Sequence, residues 1–307
     1  MTRLELRHYR AVLALRHHQT VTAAAAALGV TQSAISHRLA EAERRLGRKL
    51  TVRSGRKVWL NTAGELLASS AESILNEANH VETHLLSGSE REESQTVRIA
   101  TFAYNSYRWL PAFLKIVKEK RPNLAFEFVA SAPGLPVRTI ESGEADLGIM
   151  AGQITSKQVE TVALFDDELV CICPKDHPLT AKRFLEADDF MDYPYITYSA
   201  HKEDGFEQDQ LWRRSGKRPS VMLNAGHTEA VIELVRAEFG LSILSRWAVA
   251  HFQFRDDIAQ LRVTEEGLPL RWHAVYRGVH LDRDVLAEIS HSLRDWCRNS
   301  TLVQNAV

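Results

Sequence analysis

Cysteine is scarce in this chain, and long apolar runs are missing. Only three cysteines occur in 307 residues, Cys171, Cys173 and Cys297, an odd number that cannot build a disulfide framework and suits a reducing compartment. Cys171 and Cys173 alternate with Val170 and Ile172 and so point to one face of a strand. Without a nearby histidine or further cysteine, that C-x-C pair reads as structural rather than metal-binding. No run of about 18 apolar residues is present, which excludes a membrane-spanning helix. The opening MTRLELRHYR lacks the apolar core of a signal peptide, so a cytoplasmic protein is expected. G-x-S-x-G, Walker A and G-x-G-x-x-G sequences are also absent. His80 and His84 stand four apart without the glutamate of H-E-x-x-H. Neither catalytic residues nor a metal or cofactor site is expected.

What the chain does have is a polarised charge. Residues 1–60 hold twelve Lys and Arg against Glu5, Glu41 and Glu43, a balance of +9, while the remainder holds 26 cations against 36 acids, a balance of −10. The near-neutral total hides a basic module, fit for a polyanion, joined to an acidic one with another task.

The basic module carries AAAALGVTQSAISHRLAEAERRLGRKL, from Ala24 to Leu50. Alanines form a helix that Gly29 ends, Thr31 caps a second helix, and Gly47 stops it. Ala34, Ile35, Leu39, Ala42 and Leu46 recur at helical spacing, leaving Gln32, Ser33, Ser36, His37 and Arg38 on the opposite face. This is the helix-turn-helix plan, in which the second helix enters the major groove. There Gln pairs with adenine and Arg with guanine, while Ser and helix N-terminal amides meet phosphate. An ordinary alanine-rich hairpin shares the local pattern, and the +9 balance favours DNA.

Leu4, Leu6, Tyr9, Val12, Leu13 and Leu15 form the expected core face of a first helix, and Thr20 caps the next. TVRSGRKVWLNT reads as a hairpin tipped at Ser54-Gly55, a wing whose Arg53, Arg56 and Lys57 lie against the phosphate backbone or enter the minor groove. Thr62 then opens a long helix with Leu67, Ala71, Ile74, Ala78, Val81 and Leu85 in a narrow apolar stripe. Packing against its own chain or against a second copy would cover that stripe.

LxxYRAVLAL near the start, the helix-turn-helix, VRSGRKVWLNTAGELL and the long mixed domain that follows together resemble LysR-type transcriptional regulators over essentially the whole chain. SAISH, RWLPA at 108–112 and SRWAV at 245–249 are most similar to the MetR-like branch, which regulates methionine metabolism. Two positions depart from the family's usual pattern. His37 follows Ser36 where many members carry Arg, the cation moving to Arg38, and Thr51 stands where phenylalanine usually precedes the wing.

The resemblance implies α/β architecture with an N-terminal all-α winged helix-turn-helix and a two-lobed, periplasmic-binding-protein-like effector domain. The expected division is 1–61 DNA-binding, 62–88 dimerisation helix, 89–95 hinge and 96–307 effector-binding, with lobe I at about 96–161 and 268–307 and lobe II at about 162–267. Implied partners are double-stranded DNA, a second copy in a homodimer or homotetramer, a small-molecule effector and RNA polymerase. Homocysteine or a related sulfur metabolite is the implied effector class.

From Thr96 strands and helices alternate, as in parallel sheets with crossover helices. TVRIATF, LAFEFVAS and ADLGIMAG are strands around helices RWLPAFLKIVKEKRP and VRTIESGE. VALFDDELVCICP begins a second unit containing a helix-like LTAKRFLEADDF, strand-like YPYITYS, SVMLNAG and LSILS, and helix EAVIELVRAEFG. Ligands of such sheets sit beyond the strands' carboxyl ends, near helix N-termini that favour anions. That selects Tyr104, Asn105, Ser106, Ser131 and Ala132 in one lobe and Thr197, Tyr198, His201, His227 and Thr228 in the other, for a small anionic or zwitterionic ligand. A constitutive DNA-binding protein without effector, and a small-molecule-binding protein or enzyme, remain as alternatives.

Overall fold

The structure, a computed structural model, describes residues 3–54, 57–86, 95–101, 106–129, 136–198, 205–250, 257–278, 280 and 282–300. Two compact units divide the chain: Met1–Glu93 with Ser142–Glu144, and Ser94–Glu141 with Ala145–Val307.

The first unit begins with α1 (Leu6–His18), α2 (Val21–Ala27) and α3 (Gln32–Leu46). Thr20 Oγ1 accepts the Ala23 amide and Thr31 Oγ1 the Ala34 amide, each at 3.2 Å, so both helices start where a hydroxyl satisfies an orphan donor. Gly47, at φ 67°, takes the left-handed conformation that ends α3. Val12, Leu15, Ala24, Ile35, Leu39 and Ala42 close the core. Of the expected α1 face, Leu4 is also buried, but Leu6 is exposed because the inward face runs through His8, Ala11, Val12 and Leu15.

The hairpin β1 (Thr51–Ser54) and β2 (Lys57–Leu60) is antiparallel, pairing Thr51 with Leu60, Val52 with Trp59, and Arg53 with Val58. α4 (Thr62–Leu86) follows as one 25-residue helix. It buries Gly64, Ala68, Ala71 and Leu75 at spacings of three and four, and it packs chiefly on α1. Leu66, Ile74 and Leu85 stay exposed, so packing within the chain covers one side of α4 and leaves a second apolar side open.

The second unit opens with β3 (Gln95–Thr101), α5 (Ser106–Lys120), β4 (Leu124–Val129), α6 (Pro136–Glu141) and β5 (Leu147–Ala151). β3 pairs in parallel with β4 and β5, as the alternating pattern predicts. β6 (Val159–Pro174) is a single strand of 16 residues. LTAKRFLEADDF is not a helix: it forms two 3₁₀ turns, Pro178–Ala181 and Ala187–Phe190, because Leu185 between them bridges to Val263 as extended backbone. β7 (Tyr195–Thr197), a π-helical turn Gln208–Trp212 running into α7 (Arg213–Ser215), β8 (Met222–Asn224), α8 (Thr228–Arg236) and β9 (Ser242–Ser245) come next. A short α9 (Arg246–Ala250), β10 (Ile258–Arg262), β11 (Leu268–Arg277) and α10 (Arg283–Asn299) complete the described elements.

One seven-stranded sheet, ordered β10-β6-β11-β5-β3-β4 with β9 also on β6, runs through the unit. Its long antiparallel pair β6 and β11 carries the chain between two cores. Val162, Leu164 and Trp272 lie in one, with α5 and α10. Leu169, Cys171, Cys173, Leu268 and Leu270 lie in the other. The changeover therefore falls between Leu164 and Leu169 and between Leu270 and Trp272, later on both strands than the expected 162 and 268. α9 returns to the first core through Trp247 and Ala250, though β9 before it belongs to the second.

Candidate nucleic-acid interface and effector site

α3 presents its polar face as the periodicity requires. Gln32, Ser33 and His37 are exposed, and Ser36 and Arg38 half-buried. Ser33 Oγ lies 3.0 Å from Thr31 Oγ1. Gln32, His37 and Arg38 form no side-chain hydrogen bond or ion pair with other described residues, so their donors and acceptors are available to a partner.

Two carboxylates set the pose of this helix. His8, fully buried on α1, accepts the Glu5 amide at Nδ1 (2.9 Å) and donates from Nε2 to Glu41 Oε2 (3.1 Å). Arg45 bonds the other Glu41 oxygen, and the His8 bond is the largest influence holding Glu41 down to about 2 against the cost of burial. Glu43 joins α3 to the wing: its Oε1 accepts from the Leu50 amide (2.9 Å), the Thr51 amide (3.3 Å) and the Thr51 hydroxyl (3.1 Å), while Oε2 meets Lys49 (2.7 Å). Burial pushes this carboxyl up, and those donors more than offset it. Lys57 is exposed on β2, Arg53 lies on β1 with its side chain outside the described residues, and Arg56 lies outside them altogether.

In the second unit, β7 and β8 run parallel and bring Thr197 opposite Asn224, where the Ala225 amide donates to the Thr197 carbonyl (2.8 Å). Thr197, Tyr198, His227 and Thr228 therefore gather at the carboxyl ends of these strands. His227 is the N-cap of α8, its Nδ1 accepting the Ala230 amide at 3.3 Å, a role the sequence did not disclose. Tyr198 is half-buried against the Ile172, Ile196 and Val231 cluster. Ser106 opens α5, after the carboxyl end of β3, with its side chain outside the described residues. Tyr104, Asn105, Ser131, Ala132 and His201 lie outside them.

Sequence reasoning missed the residues that join the lobes. Asp167, buried on β6, accepts the Trp247 amide (3.2 Å) and Glu168 amide (2.7 Å) at Oδ1, and Trp272 Nε1 (2.9 Å) and the Ser245 hydroxyl at Oδ2. It ties both crossing strands to the start of α9, and burial raises its pKa despite those donors. The signal was the Asp166-Asp167-Glu168 run inside an apolar strand. Gly205, at φ 84°, approaches Gln153 of the other lobe so closely that a Cβ would sit 3.0 Å from the Gln153 amide nitrogen. Gln210 Nε2 then donates to the carbonyls of Gly205 (2.5 Å) and Pro269 (2.8 Å) on β11.

Among the described residues no group of three or more His, Cys, Asp or Glu is placed to hold a metal ion, and no helix is long and apolar enough to cross a membrane. Cys171, Cys173 and Cys297 are buried free thiols, and burial pushes Cys297 up to about 12.

A winged helix-turn-helix with an open polar recognition face, followed by a two-lobed α/β domain, defines the class of effector-responsive transcription regulators. Residues 6–65 match the model of the bacterial regulatory helix-turn-helix proteins of the LysR family, and residues 90–298 match the LysR substrate binding domain. The chain belongs to the LysR family. It is similar to the transcriptional regulator MetR of Escherichia coli K12, at 26% identity over 99% of this chain and 94% of the relative. Identity to MetR of Haemophilus influenzae is 29%, over 90% and 89%. Among solved structures, the LysR-family regulator CbnR shares the fold with a TM-score of 0.61 at 19% identity, covering 95% of this chain and 99% of that one. The regulatory domain of MetR from N. meningitidis matches with a TM-score of 0.56 at 24% identity, covering 66% of this chain and 94% of that domain. The chain is thus a DNA-binding transcriptional regulator with a small-molecule effector domain, not an enzyme.

Proposed function

We propose that this regulator works in the cytoplasm as a homodimer or homotetramer that sets two recognition helices on one duplex, with 1–61, 62–88 and 96–307 as DNA-binding, dimerisation and effector-binding segments. Gln32, His37 and Arg38 read base edges, while Thr31, Ser33, Ser36, Arg53, Arg56 and Lys57 meet the phosphate backbone. The unengaged Gln32, His37 and Arg38 side chains on α3 support the base-reading assignment, and the exposed Leu66, Ile74 and Leu85 on α4 support pairing with a second copy.

The effector is a small anionic or zwitterionic molecule of the homocysteine class, held by Tyr104, Asn105, Ser106, Ser131 and Ala132 on one lobe and Thr197, Tyr198, His201, His227 and Thr228 on the other. What carries this reading is the meeting of Thr197, Tyr198, His227 and Thr228 at the carboxyl ends of β7 and β8, beside the α8 N-terminus, together with the similarity to MetR regulators. A bound effector favours one arrangement of the lobes, and the regulator passes that choice to RNA polymerase at the promoter. Calorimetric titration of the full chain with homocysteine, with methionine as comparison, tests it. Saturable homocysteine binding lost in Thr228→Ala is expected, and no heat from either compound would remove the sulfur-metabolite assignment.

A further inference from the structure

The hairpin after α3 has two unlike faces. Val58 points inward and is buried with Leu50 in the core of the first unit. Val52 and Trp59, paired directly across the strands, share the opposite face and are exposed at 54% and 40%. Lys57, two residues before Trp59 and so on the same face, holds its Nζ 5.4 Å from the indole centroid. An exposed tryptophan opposite an exposed valine leaves apolar surface in water on one of the smallest elements of the chain. Such surface marks a contact site when a partner of fitting chemistry exists. Here the charge identifies the partner: residues 51–60 contain Arg53, Arg56 and Lys57 and no acid.

We propose that the outward face of Val52 and Trp59, with Lys57 lying over the indole, is a DNA-backbone contact in which the ring packs on the apolar edge of a deoxyribose while the ammonium meets the adjoining phosphate. The contact rests on the DNA-binding role of the first unit and adds to it an apolar anchor outside the recognition helix. Because sugar and phosphate are the same at every step, the contact positions the protein on the duplex and carries no base preference. The indole supplies contact area and the cation supplies the salt dependence.

Trp59 is the sole tryptophan in Met1–Glu93 among six in the chain, so its signal can be followed alone. The full chain is labelled with fluorotryptophan, the Trp59 resonance is assigned by its loss in Trp59→Phe, and the duplex upstream of the protein's own gene is titrated in at low salt. The Trp59 resonance is expected to shift as the duplex saturates. Trp59→Ala should weaken binding roughly tenfold on this duplex and on a scrambled one, with thermal unfolding unchanged, and Trp59→Phe should recover most of the loss. Lys57→Ala should lower the slope of log affinity against log salt by about one. A bound duplex with an unmoved Trp59 resonance overturns the proposal while leaving the DNA-binding reading intact. So does a Trp59 resonance that shifts with protein concentration alone, which would assign the face to a second copy. Failure of the wild-type chain to bind any duplex would instead overturn the DNA-binding reading, and this proposal with it.

Discussion

The Thr51 hydroxyl donates to Glu43 Oε1 at 3.1 Å, a side-chain bond between the last turn of the recognition helix and the first residue of the wing. The same oxygen takes the Leu50 and Thr51 amides, so a single buried carboxylate satisfies the backbone where the chain turns from helix into strand. Thr51 stands where a phenylalanine is usual in the family. The hinge is held by a polar bond rather than by apolar packing alone, so Thr51→Val should cost about 1 kcal/mol of stability and Glu43→Ala, which leaves two amides unsatisfied, about 2–4 kcal/mol. Thermal unfolding of the two variants checks this, and a Glu43→Ala protein as stable as wild type would show that the clamp is dispensable.

Gln32→Ala and Arg38→Ala should each lower affinity for the cognate duplex by roughly 1–3 kcal/mol, with smaller losses on scrambled DNA. Both side chains are unengaged within the described protein, so their removal breaks no internal bond. Equal losses on both duplexes would reassign them to phosphate.

Glu207 responds to pH in the opposite sense from Glu41. Burial, with Asp209 nearby, raises Glu207 to about 7 from an ordinary value near 4.5, against the lowering effect of the Tyr195 hydroxyl that donates to it at 3.2 Å. A pKa raised on folding contributes stability that is fully present below the unfolded value and is lost as pH rises through the folded one. The second unit should therefore lose on the order of 1–3 kcal/mol between about pH 4.5 and about pH 7.5 through this group, and Glu207→Gln should flatten that loss. Tryptophan-monitored unfolding across that range is the check, since five of the six tryptophans lie in this unit. Unchanged pH dependence in the variant would remove Glu207 as the source. Glu41, held at about 2, contributes stability above its unfolded value that is lost only as pH falls from about 4.5 toward about 2.

Much of the first unit was legible because its signals are local. Thr20, Thr31 and Gly47 cap or stop helices through bonds within four residues, and the Ile35, Leu39 and Ala42 stripe needs only the helical period. His8 was not legible, since nothing in LELRHYR announces that the histidine meets Glu41, 33 positions away. Leu6 was misplaced for the same reason: the inward face of α1 is set by what α3 and α4 offer. LTAKRFLEADDF has helical composition, yet the bridge from Leu185 to Val263 outweighs that propensity. In the proposed effector site, strand order is what selects Thr197 and Thr228 as candidates, and the structure places both at the carboxyl ends of β7 and β8. The Asp166-Asp167-Glu168 run inside an apolar strand marks Asp167 as unusual, but its partners Trp247 and Trp272, like the approach of Gly205 to Gln153, depend on contacts between distant segments.

A metabolite bound in the two-lobed domain should change how this protein occupies DNA. Footprinting of the region upstream of its own gene, with and without cell metabolite extract, tests it most directly. Protection of an interrupted palindrome whose extent changes with extract is expected, as is a Thr228→Ala protein that protects the same sites but no longer responds. Protection of the wild-type protein that is identical with and without extract would contradict it.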